Sequence, residues 1–220
     1  MATRTIDFVQ DEFYHVYNRG VDKRTIFVEP ADYKRFINLL YLCNASHPVD
    51  YRLIQNTHDN VFEFDRGDTL VSIGAYCLMS NHFHLLLTPK TETGLATFMN
   101  KLSTSYTMYF NRKHERSGSL FQGTYKAKHA TSDEYLKYLY SYIHLNPIGS
   151  DNEKESLGQE RFDTRYQAAA TYQYSSLPDY LGVVRPEVDI IAPADFPEYF
   201  SNTSDIKHEL LDWITYPIEG

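Results

Sequence analysis

The sequence predicts an α+β protein in which an antiparallel sheet carries helices on one face. Strand-like and helix-like segments follow one another in mixed order, and no internal repeat is visible. Two of the strand-like segments are separated only by the turn dipeptide Ser80-Asn81. Strands joined by so short a turn pair antiparallel, and a sheet of this kind buries a face under helices.

The first half of the chain begins with a strand and a helix. Phe13, His15 and Tyr17 alternate with their neighbours at the period of a strand. Pro30 opens a helix, because proline suits the first helical turn and apolar residues follow at helical spacing. A polar stretch with two short apolar runs comes next and predicts an extra hairpin or an ordered loop. The expected elements are a strand over residues 12–18, a helix over 30–43, the polar stretch over 44–68, and strands over 70–79 and 82–88.

The second half predicts two helices around one strand, followed by an irregular tail. The first helix is expected to begin near Thr93 and to end before Arg112. Ser132 has the form of a helix N-cap, and its helix is expected to reach Leu145. After that helix, prolines and acidic residues interrupt the pattern. The remaining expectations are a basic loop over residues 113–123, a strand over 124–129, a final helix over 204–214, a folded domain over 1–150 and a C-terminal extension over 151–220.

The charge of the chain is unevenly distributed. The formal net charge of −8 argues against a generally cationic protein. Residues 90–129 nevertheless carry seven basic and two acidic side chains, whereas residues 150–220 carry five basic and fourteen acidic ones. A basic middle beside an acidic tail is typical of a local surface that binds a polyanion, and two ordinary solvated faces are the plainer alternative. The residues expected to contact phosphates are Arg112, Lys113, Arg116, Lys126 and Lys128.

Three features predict a cytoplasmic protein. No run of eighteen apolar residues exists, so no transmembrane helix is expected. The first residues lack the apolar core of a signal peptide. Two cysteines are too few for a disulfide framework and are expected to be buried and reduced.

The most informative stretch places two histidines on one strand. Side chains two residues apart on a strand share a face, so His82 and His84 emerge side by side while Phe83 turns into the core. Two imidazoles held in parallel by a rigid element are half of a metal site. A His-x-His pattern also arises by chance, so the pattern alone is weak.

A second group of polar residues lies at the end of the helix that Ser132 begins. Tyr142 and Asn146 are four residues apart and project from one helix face, and Pro147 ends the helix directly after Asn146. A phenol and an amide oxygen would complete a nucleophile-plus-metal site with the two histidines. Tyr135 and Tyr138 share this face, where a stripe of tyrosines is more often part of a core.

Two further histidines are weighed as structural residues. His144 points away from the face that carries Tyr142 and is expected to be structural. His15 lies on the first strand and would be able to approach the site, but a surface or core position is the preferred interpretation.

These motifs resemble the single-tyrosine HUH transposases of small insertion sequences, and among them the REP-associated tyrosine transposases. The resemblance rests on His82-Phe83-His84 followed by Tyr142-Ile143-x-x-Asn146-Pro147. Segments at residues 14–20, 76–81, 118–123 and 174–182 also match, in the family's order. The resemblance thus spans residues 14–182, without the stretch from about residue 45 to 68.

The resemblance implies a fold, a reaction and a substrate. The fold is a ferredoxin-like, RRM-like sheet with the histidines on a central strand and the tyrosine on a covering helix. Tyr142 would attack single-stranded DNA that folds imperfect palindromes into hairpins, and would form a 5′-phosphotyrosine. His82, His84 and Asn146 would bind Mg²⁺ or Mn²⁺, with Mn²⁺ favoured by the imidazoles. Asn146 stands where many family members have glutamine, although asparagine is usual in the REP-associated branch. Such a substrate also implies that the protein is bacterial and associated with the nucleoid.

Two other functions and two oligomeric states stay open from the sequence. One alternative function is a module that holds nucleic-acid hairpins without cutting them. The other is a metal-dependent hydrolase that uses water as its nucleophile. Insertion-sequence relatives work as homodimers that exchange the tyrosine, whereas the REP-associated branch is more self-contained.

Overall fold

Four antiparallel strands form a single sheet at the centre of the protein. In a computed structural model, which describes residues 7–148, 159–200 and 205–215, the strands lie in the order β2-β3-β1-β4. β3 and β1 are therefore the central strands, and both predicted histidines lie on β3. The strands are β1 (Tyr14–Arg19), β2 (Val71–Met79), β3 (His82–Pro89) and β4 (Lys126–His129).

Seven α-helices are described, with several short 3₁₀ turns between them. The three helices expected before residue 146 are confirmed, as is the final one. None of the helices in the described part of the chain is long and apolar enough to cross a membrane. The helices are α1 (Pro30–Leu42), α2 (Tyr51–Thr57), α3 (Gly94–Lys113), α4 (Asp133–Leu145), α5 (Gln159–Ala170), α6 (Leu177–Tyr180) and α7 (Ile206–Thr215).

Three details of the expected elements are wrong. The polar stretch holds α2 rather than a hairpin or an ordered loop alone, because the Asp50 side chain accepts from the backbone N–H groups of Arg52 and Leu53 and caps a helix there. α3 continues through Arg112 and ends at Lys113, with basic residues in its last turn, where the helix dipole favours them. The helix α5 was not expected in the acidic extension.

The α+β class and the antiparallel sheet are confirmed. The order β1-α1-β2-β3-α3-β4 is the ferredoxin-like arrangement, and α1 and α3 pack on the sheet face that carries Phe83 and Leu85. The expectation that helices cover one face is wrong for α4, which packs on the opposite face against Cys77 and Leu86. β3 explains the difference, because its side chains from Phe83 to Pro89 are buried on both faces and both therefore need a cover.

The C-terminal region covers the outer edge of β2. The backbone N–H of Leu78 donates to the carbonyl of Tyr174 at 3.0 Å, and the N–H of Ser176 donates to the carbonyl of Tyr76 at 3.0 Å. These bonds satisfy an edge that would otherwise pair with another chain. The boundary expected between residues 150 and 151 lies outside the described residues.

Candidate active site

The face of the sheet that α4 covers carries a row of polar side chains. Directly paired residues of neighbouring strands point to the same face. His84 pairs with Tyr17 on β1, and Tyr17 pairs with Lys126 on β4. One step along the strands, His82 pairs with Arg19. Histidine, tyrosine and basic side chains are thus aligned across three strands.

The two predicted histidines share this face, as the strand period requires. Their ring centroids lie 5.0 Å apart, with the ring planes at 87°. Nδ1 of His82 is 2.6 Å from the amide oxygen Oδ1 of Asn81. Because a carbonyl oxygen only accepts, the proton of neutral His82 lies on Nδ1 and the lone pair on Nε2. His82 therefore has the tautomer that binds a metal through Nε2.

His84 is hydrogen-bonded to a third histidine, His15 of β1. Nε2 of His15 lies 2.8 Å from Nδ1 of His84, and the two ring centroids lie 5.0 Å apart with their planes at 23°. Burial lowers the pKa of His84 well below its ordinary value, and the neighbouring His15 and His82 add to this effect. Burial, with Lys128 nearby, lowers the pKa of His15 to about 4. Both imidazoles are therefore neutral near pH 7, as a metal ligand and its partner require.

Tyr142 approaches these histidines from α4. Its ring lies edge-on to His84 at 5.2 Å and edge-on to His15 at 5.7 Å. The Ser132 hydroxyl caps this helix by accepting from the N–H of Tyr135 at 3.2 Å, so the expected N-cap is confirmed. The structure thus brings the predicted nucleophile beside one predicted metal ligand within a single chain.

The other tyrosines of the stripe lie farther along α4. Tyr138 stacks on Tyr142 at 5.8 Å, and Tyr135 stacks on Tyr138 at 6.1 Å. Burial raises the pKa of Tyr138, and the adjacent tyrosines raise it further. Among the ring contacts of the described residues, Tyr142 is the member of this stripe that contacts histidines. Tyr17 also contacts His84, at 5.7 Å from the neighbouring strand, and is a rival nucleophile that the sequence did not suggest.

Asn146 lies one helical turn beyond Tyr142, where α4 ends. Its side chain is buried, and its amide oxygen makes no hydrogen bond within the described part of the chain. The 3₁₀ turn that begins at Asn146 contacts β2, the strand next to β3. A buried amide oxygen without a donor is costly, and a cation would satisfy it.

The donor set fits the expected metal. Two neutral imidazoles and one amide oxygen provide mixed nitrogen and oxygen ligation, which suits Mn²⁺ and accommodates Mg²⁺. Within the described ranges no cluster of three histidine, cysteine or acidic side chains is placed to bind a metal. The expected ligand set adds one neutral oxygen to His82 and His84, and the Asn146 amide oxygen is buried without a hydrogen-bond donor in the described part of the chain.

The five basic residues expected to contact phosphates fall into two groups. Lys126 and Lys128 are exposed on β4 and point to the same face as Tyr17 and His15. Nζ of Lys128 lies 4.7 Å above the ring of Tyr135 on α4. These two lysines therefore lie on β4 beside the place where α4 packs on the sheet.

The other three basic residues lie at the end of α3, which packs on the opposite face. Lys113 is ion-paired within the protein, with Nζ 2.6 Å from the buried carboxylate of Asp32 and 2.5 Å from Glu29. Arg116 donates to the side-chain oxygen of Asn111 at 3.1 Å. Arg112 lines a cavity of about 870 Å³ whose other basic residues are Arg35, Arg52 and Lys113.

His15 and His144, which the sequence left outside the predicted ligand set, have different surroundings in the structure. His15 was interpreted as a surface or core residue, whereas it is hydrogen-bonded to His84 at the centre of the site. The alternation of His15 and Tyr17 was the available signal, but the pairing of β1 with β3 was needed to use it. His144 is buried and bonded through Nε2 to the hydroxyl of Ser176 at 2.8 Å, in keeping with a structural role.

Comparison with known proteins gives a family and a fold. The sequence model of a family described as "Transposase IS200 like" matches residues 36–146, a range that includes His82, His84, Tyr142 and Asn146. A solved REP-associated tyrosine transposase, bound to a REP hairpin, is similar with a TM-score of 0.51 and 9% identity. The match covers 85% of this chain and 90% of that chain and shows a common fold. No curated protein matches the chain.

Proposed function

The chain belongs to the IS200-like transposase family, and from this premise we propose that it cuts and rejoins single-stranded hairpin DNA with Tyr142 as the nucleophile. The observation that carries the proposal is the contact of the Tyr142 ring on α4 with the His84 ring on β3, at a centroid distance of 5.2 Å. A phenol beside a pair of metal-binding imidazoles is the arrangement that phosphoryl transfer to tyrosine needs.

The proposed reaction is a transesterification. The phenolic oxygen of Tyr142 attacks the phosphorus, the new O–P bond forms, and the bond between the phosphorus and the 3′ oxygen breaks. The strand leaves with a 3′-hydroxyl, and the 5′-phosphate stays on the tyrosine. A 3′-hydroxyl reverses the step, so the bond energy is conserved. When bound by His82, His84 and Asn146, Mg²⁺ or Mn²⁺ supplies Lewis-acid polarisation of the phosphoryl oxygen.

The proposed substrate is single-stranded DNA that folds imperfect palindromes into hairpins. The solved protein that shares this fold is bound to a REP hairpin. On this chain, Lys126 and Lys128 are exposed on the sheet face that carries His15 and Tyr17, where they would neutralise the phosphates of a strand that reaches Tyr142. We assign them the phosphate contacts next to the cut, and we assign Arg112 and Arg116 more distant ones.

We also propose that one chain suffices for cutting. Tyr142 contacts His84 and His15 of its own chain, so the nucleophile and both histidines come from one polypeptide. An exchange of the tyrosine between two copies is not required to assemble this site.

Incubation with labelled hairpin DNA and Mn²⁺, followed by a denaturing gel, tests the proposal. The expected product is a protein–DNA adduct that survives denaturant, together with a released strand that ends in a 3′-hydroxyl. Binding without cutting would instead indicate a hairpin-binding module. Cutting without an adduct would indicate a hydrolase that uses water as its nucleophile.

A further inference from the structure

We propose that His15 is a positioning residue, which accepts the Nδ1 proton of His84 and so holds the Nε2 lone pair of His84 ready for a metal. The inference rests on the proposed function and adds a residue that this function did not include. It is carried by one contact, the 2.8 Å hydrogen bond between Nε2 of His15 and Nδ1 of His84.

The proton in this hydrogen bond decides whether His84 is able to bind a metal. Two neutral imidazoles share a single proton between the bonded nitrogens. If Nδ1 of His84 donates, its Nε2 has a lone pair and is a ligand. If His15 donates instead, Nε2 of His84 carries the proton and is unable to coordinate. The polarity of this bond thus has a functional consequence beyond packing.

The neighbouring histidine, His82, provides a parallel for the proposed polarity. Nδ1 of His82 is bonded to the side-chain oxygen of Asn81, a group that only accepts, so His82 has its lone pair on Nε2. Both ligands are then anchored through Nδ1, one by an amide and one by an imidazole. Metal-binding histidines are usually anchored in this way by a partner that fixes the ring and its tautomer.

The surroundings of His15 suit an acceptor. His15 is 6% exposed, and its ring contacts the rings of Tyr17 and His84, each with its centroid at 5.0 Å. A neutral His15 retains a lone pair, and β1, which lies between β3 and β4, holds it rigidly.

Three variants separate the hydrogen bond from the packing. His15→Gln places an amide oxygen near the position of Nε2 and is able to accept from His84. His15→Phe keeps an aromatic ring but has no acceptor. His15→Asn keeps an amide on a shorter arm and is a matched control for the glutamine. We expect His15→Phe to weaken Mn²⁺ binding about 10- to 100-fold, as loss of a ligand's anchor does, with His15→Asn close to it and His15→Gln close to wild type.

Two measurements, neither of which uses activity, decide the question. Isothermal titration calorimetry gives the Mn²⁺ affinity of each variant. Long-range ¹H–¹⁵N spectra of the metal-free protein show which nitrogen of His84 carries the proton, and we expect Nδ1 in wild type and a mixture in His15→Phe. If His15→Phe does not fold, the comparison of His15→Gln with His15→Asn still tests the acceptor.

Other results would overturn the inference. A wild-type His84 protonated on Nε2 would show that the bond has the opposite polarity. Equal Mn²⁺ affinity in wild type and His15→Phe, or equal losses in the glutamine and asparagine variants, would show that His15 only packs. If instead wild type fails to bind Mn²⁺, or His82→Ala binds it unchanged, the metal site of the proposed function fails, and the spectra still decide the polarity of the bond.

Discussion

Replacing Lys126 and Lys128 by alanine should weaken the binding of hairpin DNA while the fold persists. Both side chains are exposed on β4 and point to the sheet face that carries His84, on which α4 with Tyr142 packs. The main structural loss is the contact of Lys128 with the ring of Tyr135, which is worth about 0.5–1 kcal/mol at an exposed site. The free energy of unfolding should therefore change little.

The effect on binding follows from the release of counterions. Each phosphate contact contributes about 0.7 to the salt slope for single strands and about 0.9 for a duplex. Loss of two contacts should lower the slope by about 1.4–1.8, which corresponds to about a 15- to 30-fold loss of affinity at ~0.15 M salt.

Fluorescence anisotropy of a labelled hairpin over a series of salt concentrations measures both quantities. The matched control replaces Lys90 and Lys207 by alanine, which changes the net charge equally. Those lysines are ion-paired with Asp195 at 3.4 Å and with Asp163 at 2.7 Å, and neither of them lies on β4. An unchanged slope in the β4 variant, or an equal loss in the control, would refute the assignment of the DNA path.

Three other results are expected. Lys113→Ala should lower the free energy of unfolding by about 1.5–3 kcal/mol, because it removes a charged donor from the buried Asp32 carboxylate. Arg112 is exposed, so Arg112→Ala should change this free energy by less than about 0.5 kcal/mol. Urea denaturation measures both variants, and equal values would contradict the ion pair. Burial lowers the pKa of His144 from 6.5 to about 3, so below about pH 6.5 the unfolded chain binds a proton that the folded chain does not. This residue alone should lower the free energy of unfolding by about 2 kcal/mol from pH 7 to pH 5. His144→Gln should remove that part of the pH dependence. A variant whose free energy of unfolding falls with pH as steeply as that of wild type would contradict this assignment. Asn146→Ala should weaken Mn²⁺ binding while Asn146→Asp retains it, and calorimetry showing no loss in the alanine variant would remove Asn146 from the ligand set.

The parts of the site that lie on one element could be predicted from the sequence. The strand period alone places His82 and His84 on one face, and their rings lie 5.0 Å apart there. The cap at Ser132 and the proline after Asn146 define α4, and helical spacing then places Tyr142 one turn before Asn146.

Contacts between distant segments could not be predicted in this way. His15 meets His84 because β1 pairs with β3, and no local pattern specifies that pairing. Lys113 stands in a basic segment and was interpreted as a phosphate contact, yet it is ion-paired with Asp32, a residue 81 positions earlier. Local charge counts do not reveal such a partner.

The most direct test identifies the residue that is covalently bound to DNA. Wild-type protein is incubated with Mn²⁺ and the hairpin, digested, and examined by mass spectrometry for a peptide with a phosphorylated tyrosine. We expect the modification on Tyr142, no adduct in Tyr142→Phe, and adducts in both Tyr17→Phe and Tyr138→Phe. An adduct in Tyr142→Phe, or a modification on Tyr17 or Tyr138, would contradict the account.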